Sequence, residues 1–457
     1  MSDEVVAAPA SHVEARGLDR LFGVSARGST LGREVIAGLT TFGAMSYIVV
    51  VNPAILSAAG MDRHELIITT AIASIIGTLI MALWANLPIA LAPGMGSNVI
   101  FAQVVVLQMG VSYQTAFTMV LIGGILFLIL SLTRIREQIV LGFPAAIRLG
   151  IQCGIGLFIA YLGLKNGGLL VVQNNSVHFG NLADPATMLT FIGVLVTPVL
   201  VAMRVPAAFL ISIVLLTIAG FFLTGLNGKP VTPIPDHIVN LPVIPKELFF
   251  AFDFHEFISH FFLVLPITLY FFISDFFSAT ATLIGVTRRG NMMTPEGQIP
   301  NARQAFIADG LASVIGAMVG TSTVAAYIES ATGVEAGGRT GLTGIVVAIL
   351  FGLSLFIWPL IAIIPAQATA PALVLVGVLM MEGIRDLDVT RPENALPPIM
   401  TLLITVCTTD LMMGLTVGCF VYTLIVLATR QWQKVTPWLL GLDAIFIIYM
   451  ILTHHMH

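Results

Sequence analysis

From Glu34 to the C-terminus, apolar runs of roughly 17 to 25 residues alternate with short polar breaks. Runs of that length outlast buried strands and suit helices that cross a bilayer core. They predict spans near 34–51, 66–86, 88–108, 112–132, 139–163, 187–203 and 206–224. After a long polar loop come 257–287, 303–319, 320–337, 340–364, 368–383, 395–409 and 411–430. The pattern therefore predicts an all-α membrane protein of about fourteen spans. A further run, Trp438 to Leu452, is expected to lie in the interface or to cross again. The first 33 residues are polar and lack the apolar core of a signal peptide, so they read as a cytosolic tail in which Leu18 to Val24 forms an interfacial turn.

Composition agrees with the pattern. Hydrophobic residues make up 57% of the 457 and charged residues 10%, against about a quarter in soluble domains. No basic block suggests nucleic acid, and Cys153, Cys407 and Cys419 sit inside apolar runs without metal-ligand spacing. With the N-terminus inside, sixteen of the twenty Lys and Arg residues fall on the cytosolic side, as the positive-inside bias requires. Arg63, Lys165, Lys229 and Lys246 remain outside. This alternation holds only if 88–108 and 320–337, the two poorest helices, both count as crossings.

Those two segments also belong to an internal repeat. ASIIG at 73–77 returns as ASVIG at 312–316, 239 positions later. The same offset sets APG (92–94) against ATG (331–333). Seven spans separate the copies, so equivalent segments run in opposite directions, and two inverted seven-span repeats are a transporter signature. PIALAPGMGSNV (88–99) holds two prolines and two glycines within nine residues, which argues against a continuous helix. GTSTVAAYIES (320–330) opens on small and β-branched residues that favour extended backbone. Spans 3 and 10 are thus expected to break into a short extended piece and a half-helix, tolerated at membrane depth only around a cavity or inside protein. The half-helix N-termini would offer unpaired N–H groups to a polar ligand.

An acid at mid-membrane costs at least about 2.5–3.5 kcal/mol, so function is the first reading of Asp275, in YFFISDFFSAT, and of Glu329. Asp309 is expected to cap or to pair with nearby Arg303, Asp410 to cap, and Glu335 to pair with Arg339. Asn98 is either a ligand or a partner for freed backbone. HEFISH (255–260) resembles a zinc motif, but its histidines are five apart, which turns them about 140° from each other on a helix. NNS at 174–176 fits a glycosylation acceptor, a pattern too short to use.

REVIAGLTTFGAMSYIVVVNPAIL (33–56), APGMG followed by Asn98, GTSTVAAYIES and EAGGRTGLT (335–343) together resemble the azaguanine-type purine permeases of the nucleobase–ascorbate transporter superfamily. The resemblance covers nearly the whole chain. It implies a core built from 34–132 and 257–364, and a gate built from 139–224 and 368–430. Residues 225–256 would form an extracytoplasmic loop and 436–457 a C-terminal apolar segment. It further implies a multi-pass inner-membrane protein that takes up hypoxanthine, guanine or adenine with protons, often as a homodimer through the gate. No enzyme activity, metal, cofactor or nucleic-acid partner is expected beyond the coupling proton. The family's substrate acids map onto Asp275 and Glu329, both also proton-coupling candidates, and its polar third-span position maps onto Asn98. Two departures stand beside them: Ser278 where a second Asp is common, and Ser97 where an apolar residue is usual.

A carboxylate can accept two N–H bonds from a purine edge. Glu329 suits one edge and Asp275 a second edge or the proton. Backbone N–H groups around Met95–Gly96 and Thr323–Ala325 complete the expected contacts, with Phe276 or Tyr327 over the ring face. A carrier of the same fold for uracil, xanthine or a ureide would use the same acids. An anion exchanger of this fold is expected to lack them.

Overall fold

The computed structural model describes residues 17–133, 144–173, 176–226, 228–235, 237–295, 297–408 and 410–454. Arg16, Arg134, Arg136, residues 139–143 of the fifth expected span and two residues of the NNS triplet lie outside them. A short α1 (Leu18–Phe22) leads into α2 (Leu31–Met45), α3 (Ile48–Leu56) and α4 (Arg63–Ile80). Strand β1 (Leu91–Pro93) and half-helix α5 (Met95–Val99) follow, α5 continuing in wider turns over Ile100–Gln108. Next come α6 (Tyr113–Leu132), α7 (Ala145–Asn166), a surface hairpin of β2 (Leu170–Gln173) and β3 (Ser176–Phe179), α8 (Pro185–Ala202) and α9 (Ala208–Phe222).

The second half runs α10 (Phe254–Ser259), α11 (Phe261–Arg289), α12 (Ala302–Val319), β4 (Val324–Ala326), α13 (Ser330–Glu335) and α14 (Gly341–Ser354). It closes with α15 (Trp358–Ala362), α16 (Ala366–Met380), α17 (Pro392–Thr408), α18 (Leu411–Ala428) and α19 (Pro437–His454). Among the described residues, eight helices are long and apolar enough to cross a membrane, and four shorter apolar ones accompany them. Polar residues between the apolar runs start the helices. Thr30, Asp62, Ser112, Asp184 and Asp410 each accept a first-turn backbone N–H, which satisfies one of the donors a helix N-terminus leaves open. Asp410 is thus the expected cap.

The repeat is visible in the helices. α4 and α12 start and end 239 positions apart, with ASIIG and ASVIG at equivalent places. Their glycines allow close approach: a Cβ at Gly77 would stand 3.1 Å from Ala312 Cβ, and one at Gly316 would stand 2.6 Å from Val324 Cγ2. The APG–ATG match does not survive. β1 pairs antiparallel with β4 in the register Leu91↔Ala326, Ala92↔Ala325, Pro93↔Val324. Eleven positions separate Ile80 from Leu91, but five separate Val319 from Val324, so the offset shortens by six before the breaks begin.

Helices α2 to α6 and α11 to α14 pack among themselves, and so do α7 to α9 with α16 to α18. The groups meet at α2–α9, α3–α16 and α5–α7, and α19 lies against both α11 and α18. Two expected ion pairs are replaced. Glu335 pairs with Arg289 at 3.4 Å, while Arg339 donates to the Val334 and Gly338 carbonyls. Asp309 is fully buried and accepts the Ala326 N–H at 2.7 Å rather than meeting Arg303, so it ties α12 to β4. Burial explains the choice: inside the protein a strand amide without a partner would be costly.

Candidate functional site

The two breaks cross as a miniature sheet. Gly94 N–H donates to the Thr323 carbonyl (2.8 Å) and Tyr327 N–H to the Ala90 carbonyl (3.0 Å), which extends the β1–β4 ladder at both ends. Proline at 93 closes off one ladder donor, and Gly94 then turns the chain into α5. The sheet gives backbone at membrane depth the internal partners that lipid cannot supply. Tyr327, an expected ring cover, instead donates its hydroxyl to the Pro93 carbonyl at 2.6 Å and locks the crossing.

Asp275 reaches this crossing from the middle of α11 and is buried. Its Oδ1 faces the Ser97 hydroxyl of α5 at 3.4 Å, and its Oδ2 lies 2.9 Å from the Ser313 hydroxyl of α12. Ser313 also lies 2.8 Å from the Val324 carbonyl of β4. Glu329 immediately precedes α13 at the other break, where Tyr47 donates to its Oε1 at 2.6 Å. Among the described residues no Lys, Arg or His forms an ion pair with either acid.

Asn98 is fully buried; its Oδ1 accepts from the Ser322 hydroxyl, and its Nδ2 is buried without a partner among the described residues. Met95 and Gly96 occupy the first turn of α5, where helix geometry leaves N–H groups without intrahelical acceptors. Gly96 also marks the boundary between the helix groups: a Cβ there would stand 3.0 Å from Ile155 Cγ2 of α7 and 3.7 Å from Met380 Cε of α16. Thr323 is fully buried just before β4.

Phe276 requires a correction. It is fully buried between Phe127 and Phe306, with ring centroids 5.9 and 6.5 Å away, and has no free face for a ligand. Adjacent residues on a helix point about 100° apart, so an aromatic next to Asp275 need not share its side. Ser278 is exposed, so that departure from the family pattern does not share the buried surroundings of Asp275.

Tyr47 and Ser313 are additions that sequence reading missed. Ser313 carried a signal, since it is the serine of the repeated ASVIG. Tyr47 carried none, lying 282 positions from Glu329 inside an apolar run.

Two antiparallel broken segments, meeting inside paired helical repeats around buried acids, define an inverted-repeat membrane carrier. The chain belongs to the xanthine/uracil Permease family, whose model matches residues 32–404. It is 40% identical to a putative permease of Methanocaldococcus jannaschii, over 94% of this chain and 96% of the relative. It is 38% identical to an adenine permease of Escherichia coli, over 96% and 97% of the two chains. A guanine/hypoxanthine permease of Bacillus subtilis is 37% identical over 94% and 99%. Among solved structures, the transmembrane domain of the cyanobacterial bicarbonate transporter BicA matches at 17% identity with a TM-score of 0.61, covering 85% of this chain and 97% of that one. A murine anion transporter of solute carrier family 26 matches at 12% identity with a TM-score of 0.61, covering 92% and 73%. Those likenesses concern the fold alone.

Proposed function

We propose that the protein is a secondary carrier that takes up a purine base, hypoxanthine, guanine or adenine, across the cytoplasmic membrane by proton-coupled alternating access. One observation carries the reading: Asp275 and Glu329 stand at the paired breaks and are held by hydroxyls, not by cations. A carboxylate held that way stays available to N–H donors along a heterocycle edge, while a salt-bridged one would already be committed. The relatives named as guanine/hypoxanthine and adenine permeases supply the substrate class. Glu329 reads one edge of the base; Asn98 Nδ2 and the amides of Met95 and Gly96 are donors for its ring nitrogens and, in hypoxanthine and guanine, for the carbonyl oxygen. Thr323 lines the buried side, and Tyr327 holds the crossing rigid.

Asp275 is the acid we assign to the proton. The Ser313 hydroxyl has one hydrogen and lies within bonding distance of two acceptors, Asp275 Oδ2 and the Val324 carbonyl. A carboxyl that carries a hydrogen lets the hydroxyl accept from Asp275 while it donates to the Val324 carbonyl, so the pair suits an acid that takes up a proton. Residues 34–132 and 257–364 act as the core, and 139–224 and 368–430 as the gate, with the N-terminus cytosolic and the gate helices as the surface of a homodimer. The proton is the only coupling agent, and the protein works as a carrier, not as an enzyme.

The test is ligand-induced thermal stabilisation across purines, pyrimidines, ureides and ascorbate, followed by radiolabelled uptake into proteoliposomes with and without a proton gradient. Purines should stabilise the wild type, and Glu329→Gln and Asp275→Asn should lose uptake. Wild-type uptake and affinity in both variants would remove this site. A second reading, a carrier for a different heterocycle, is favoured by Ser97 on Asp275, and the same ligand panel separates the two.

A further inference from the structure

We propose that Tyr47 positions Glu329 and relays its occupation to the gate; the inference rests on Glu329 as a substrate ligand. Tyr47 stands in the joint between α2, which ends at Met45, and α3, which starts at Ile48, and it is 1% exposed. Its hydroxyl donates to Glu329 Oε1, and its ring lies against Phe209 in the first turn of α9, with centroids 5.0 Å apart and planes at 34°. One rigid side chain therefore touches the acid of the broken span and the first turn of a helix in the other group.

The seat of α9 is also strained. Ala207, just before it, has φ 56°, a left-handed conformation that a residue with a side chain adopts at a cost of about 1 kcal/mol or more. Strain of that kind persists where the surroundings over-determine it, and here they are α2: a Cβ at Gly43 would stand 3.1 Å from Ala207 Cβ. The α2–α3 joint and the start of α9 are thus fitted to one another at Gly43–Ala207 and Tyr47–Phe209.

The Tyr47 hydroxyl fixes one oxygen of Glu329 and so the plane of the carboxylate. A base that donates N–H bonds to Glu329 must use the lone pairs that bond leaves free or turn the carboxylate. In the second case the phenol oxygen follows, and because a tyrosine ring is rigid the movement appears at its contact with Phe209. Tyr47 is a positioning residue; Glu329 makes the contact with substrate.

Full-length protein provides the test. Tyr47→Phe keeps the ring and removes the hydroxyl, so purine affinity, measured by titrated thermal stabilisation, should fall about tenfold, equivalent to about 1.4 kcal/mol. The KM for uptake should rise in step. Phe209→Leu keeps the hydroxyl bond and removes the ring contact; affinity should hold within about twofold while the maximal rate drops at least about fivefold, a split that follows if the contact serves the transition and not binding. Phe209→Tyr, which keeps a ring, should return most of the rate. A merely structural Tyr47 would lower the ligand-free unfolding temperature in Tyr47→Phe and leave affinity and KM alone, and that result overturns the proposal. Wild-type protein stabilised by no purine removes the reading of Glu329 and this inference with it. A purine response in the wild type, matched by Tyr47→Phe, overturns this inference alone.

Discussion

Ser97 shows how one side chain adjusts an otherwise shared site. Its hydroxyl lies 3.4 Å from Asp275 Oδ1, where the family resemblance implies an apolar residue. A neutral donor of this kind contributes about 0.5–1.5 kcal/mol, so Ser97→Ala should change purine affinity by roughly two- to tenfold. Titrated thermal stabilisation with hypoxanthine, guanine and adenine measures it, and identical affinities for all three in variant and wild type would remove Ser97 from the site. At this scale the sequence was partly legible. Asp275, Glu329 and Asn98 stood out because ionic and amide groups are rare in apolar runs. Tyr47 did not, because a tyrosine in such a run reads as core until a contact across 282 positions is known. Phe276 was misread because adjacency along a chain says nothing of side on a helix.

Between residues and the whole molecule, the EAGGRTGLT stretch proves to be an architectural device. Glu34 of α2 is fully buried and its carboxylate accepts the backbone N–H groups of Arg339 (2.9 Å) and Thr340 (3.3 Å) and the Thr343 hydroxyl (2.6 Å). Gly341 starts α14 so close to the wide turn over Met81–Ala85, which continues α4, that a Cβ would stand 1.9 Å from the Ala82 carbonyl oxygen. Arg27 adds bonds to the Asn86 and Arg339 carbonyls, which straps the segment after α1 beneath the same junction. Glu34→Ala should therefore destabilise the protein by about 1–3 kcal/mol for each donor orphaned, seen as a lower unfolding temperature, while purine affinity per folded molecule stays unchanged.

A second clamp likewise joins the two halves of the chain. Glu256 of α10, in HEFISH, accepts the Ser112 and Thr115 hydroxyls at the start of α6 and so fastens the two helices together. Burial alone would raise the Glu256 carboxyl, but those bonds outweigh it and hold it below the usual range. A depressed folded-state value adds stability above the unfolded value, about 4.3, and that stability is lost as pH falls through the lower folded value. The unfolding-temperature gap between wild type and Glu256→Gln should accordingly be full at neutral pH and close below about pH 4. Helix positions were legible from apolar run length alone. The register of the repeat was not, because residue-type matching of APG to ATG cannot see a connection shortened by six positions.

At the scale of the molecule, two helix groups share few meeting points, and the α2–α9 contact is one that alternating access must loosen if the groups move as bodies. Gly43 and Ala207 make it testable. The Cβ of a residue at 43 would stand 3.1 Å from Ala207 Cβ, slightly inside the roughly 3.5–4.5 Å of a disulfide and reachable by a small shift. In a background without Cys153, Cys407 and Cys419, a Gly43→Cys/Ala207→Cys pair should cross-link under oxidation. Uptake should then stop, return on reduction, and persist in either single variant, while purine-induced stabilisation survives cross-linking. That combination separates a lock from damage: a distorted site would lose binding, and a merely destabilised fold would not recover on reduction. Full-rate uptake through the cross-linked protein would mean that α2 and α9 travel together, and the moving boundary would then have to be drawn at α3–α16 and α5–α7, where Gly96 faces Ile155 and Met380.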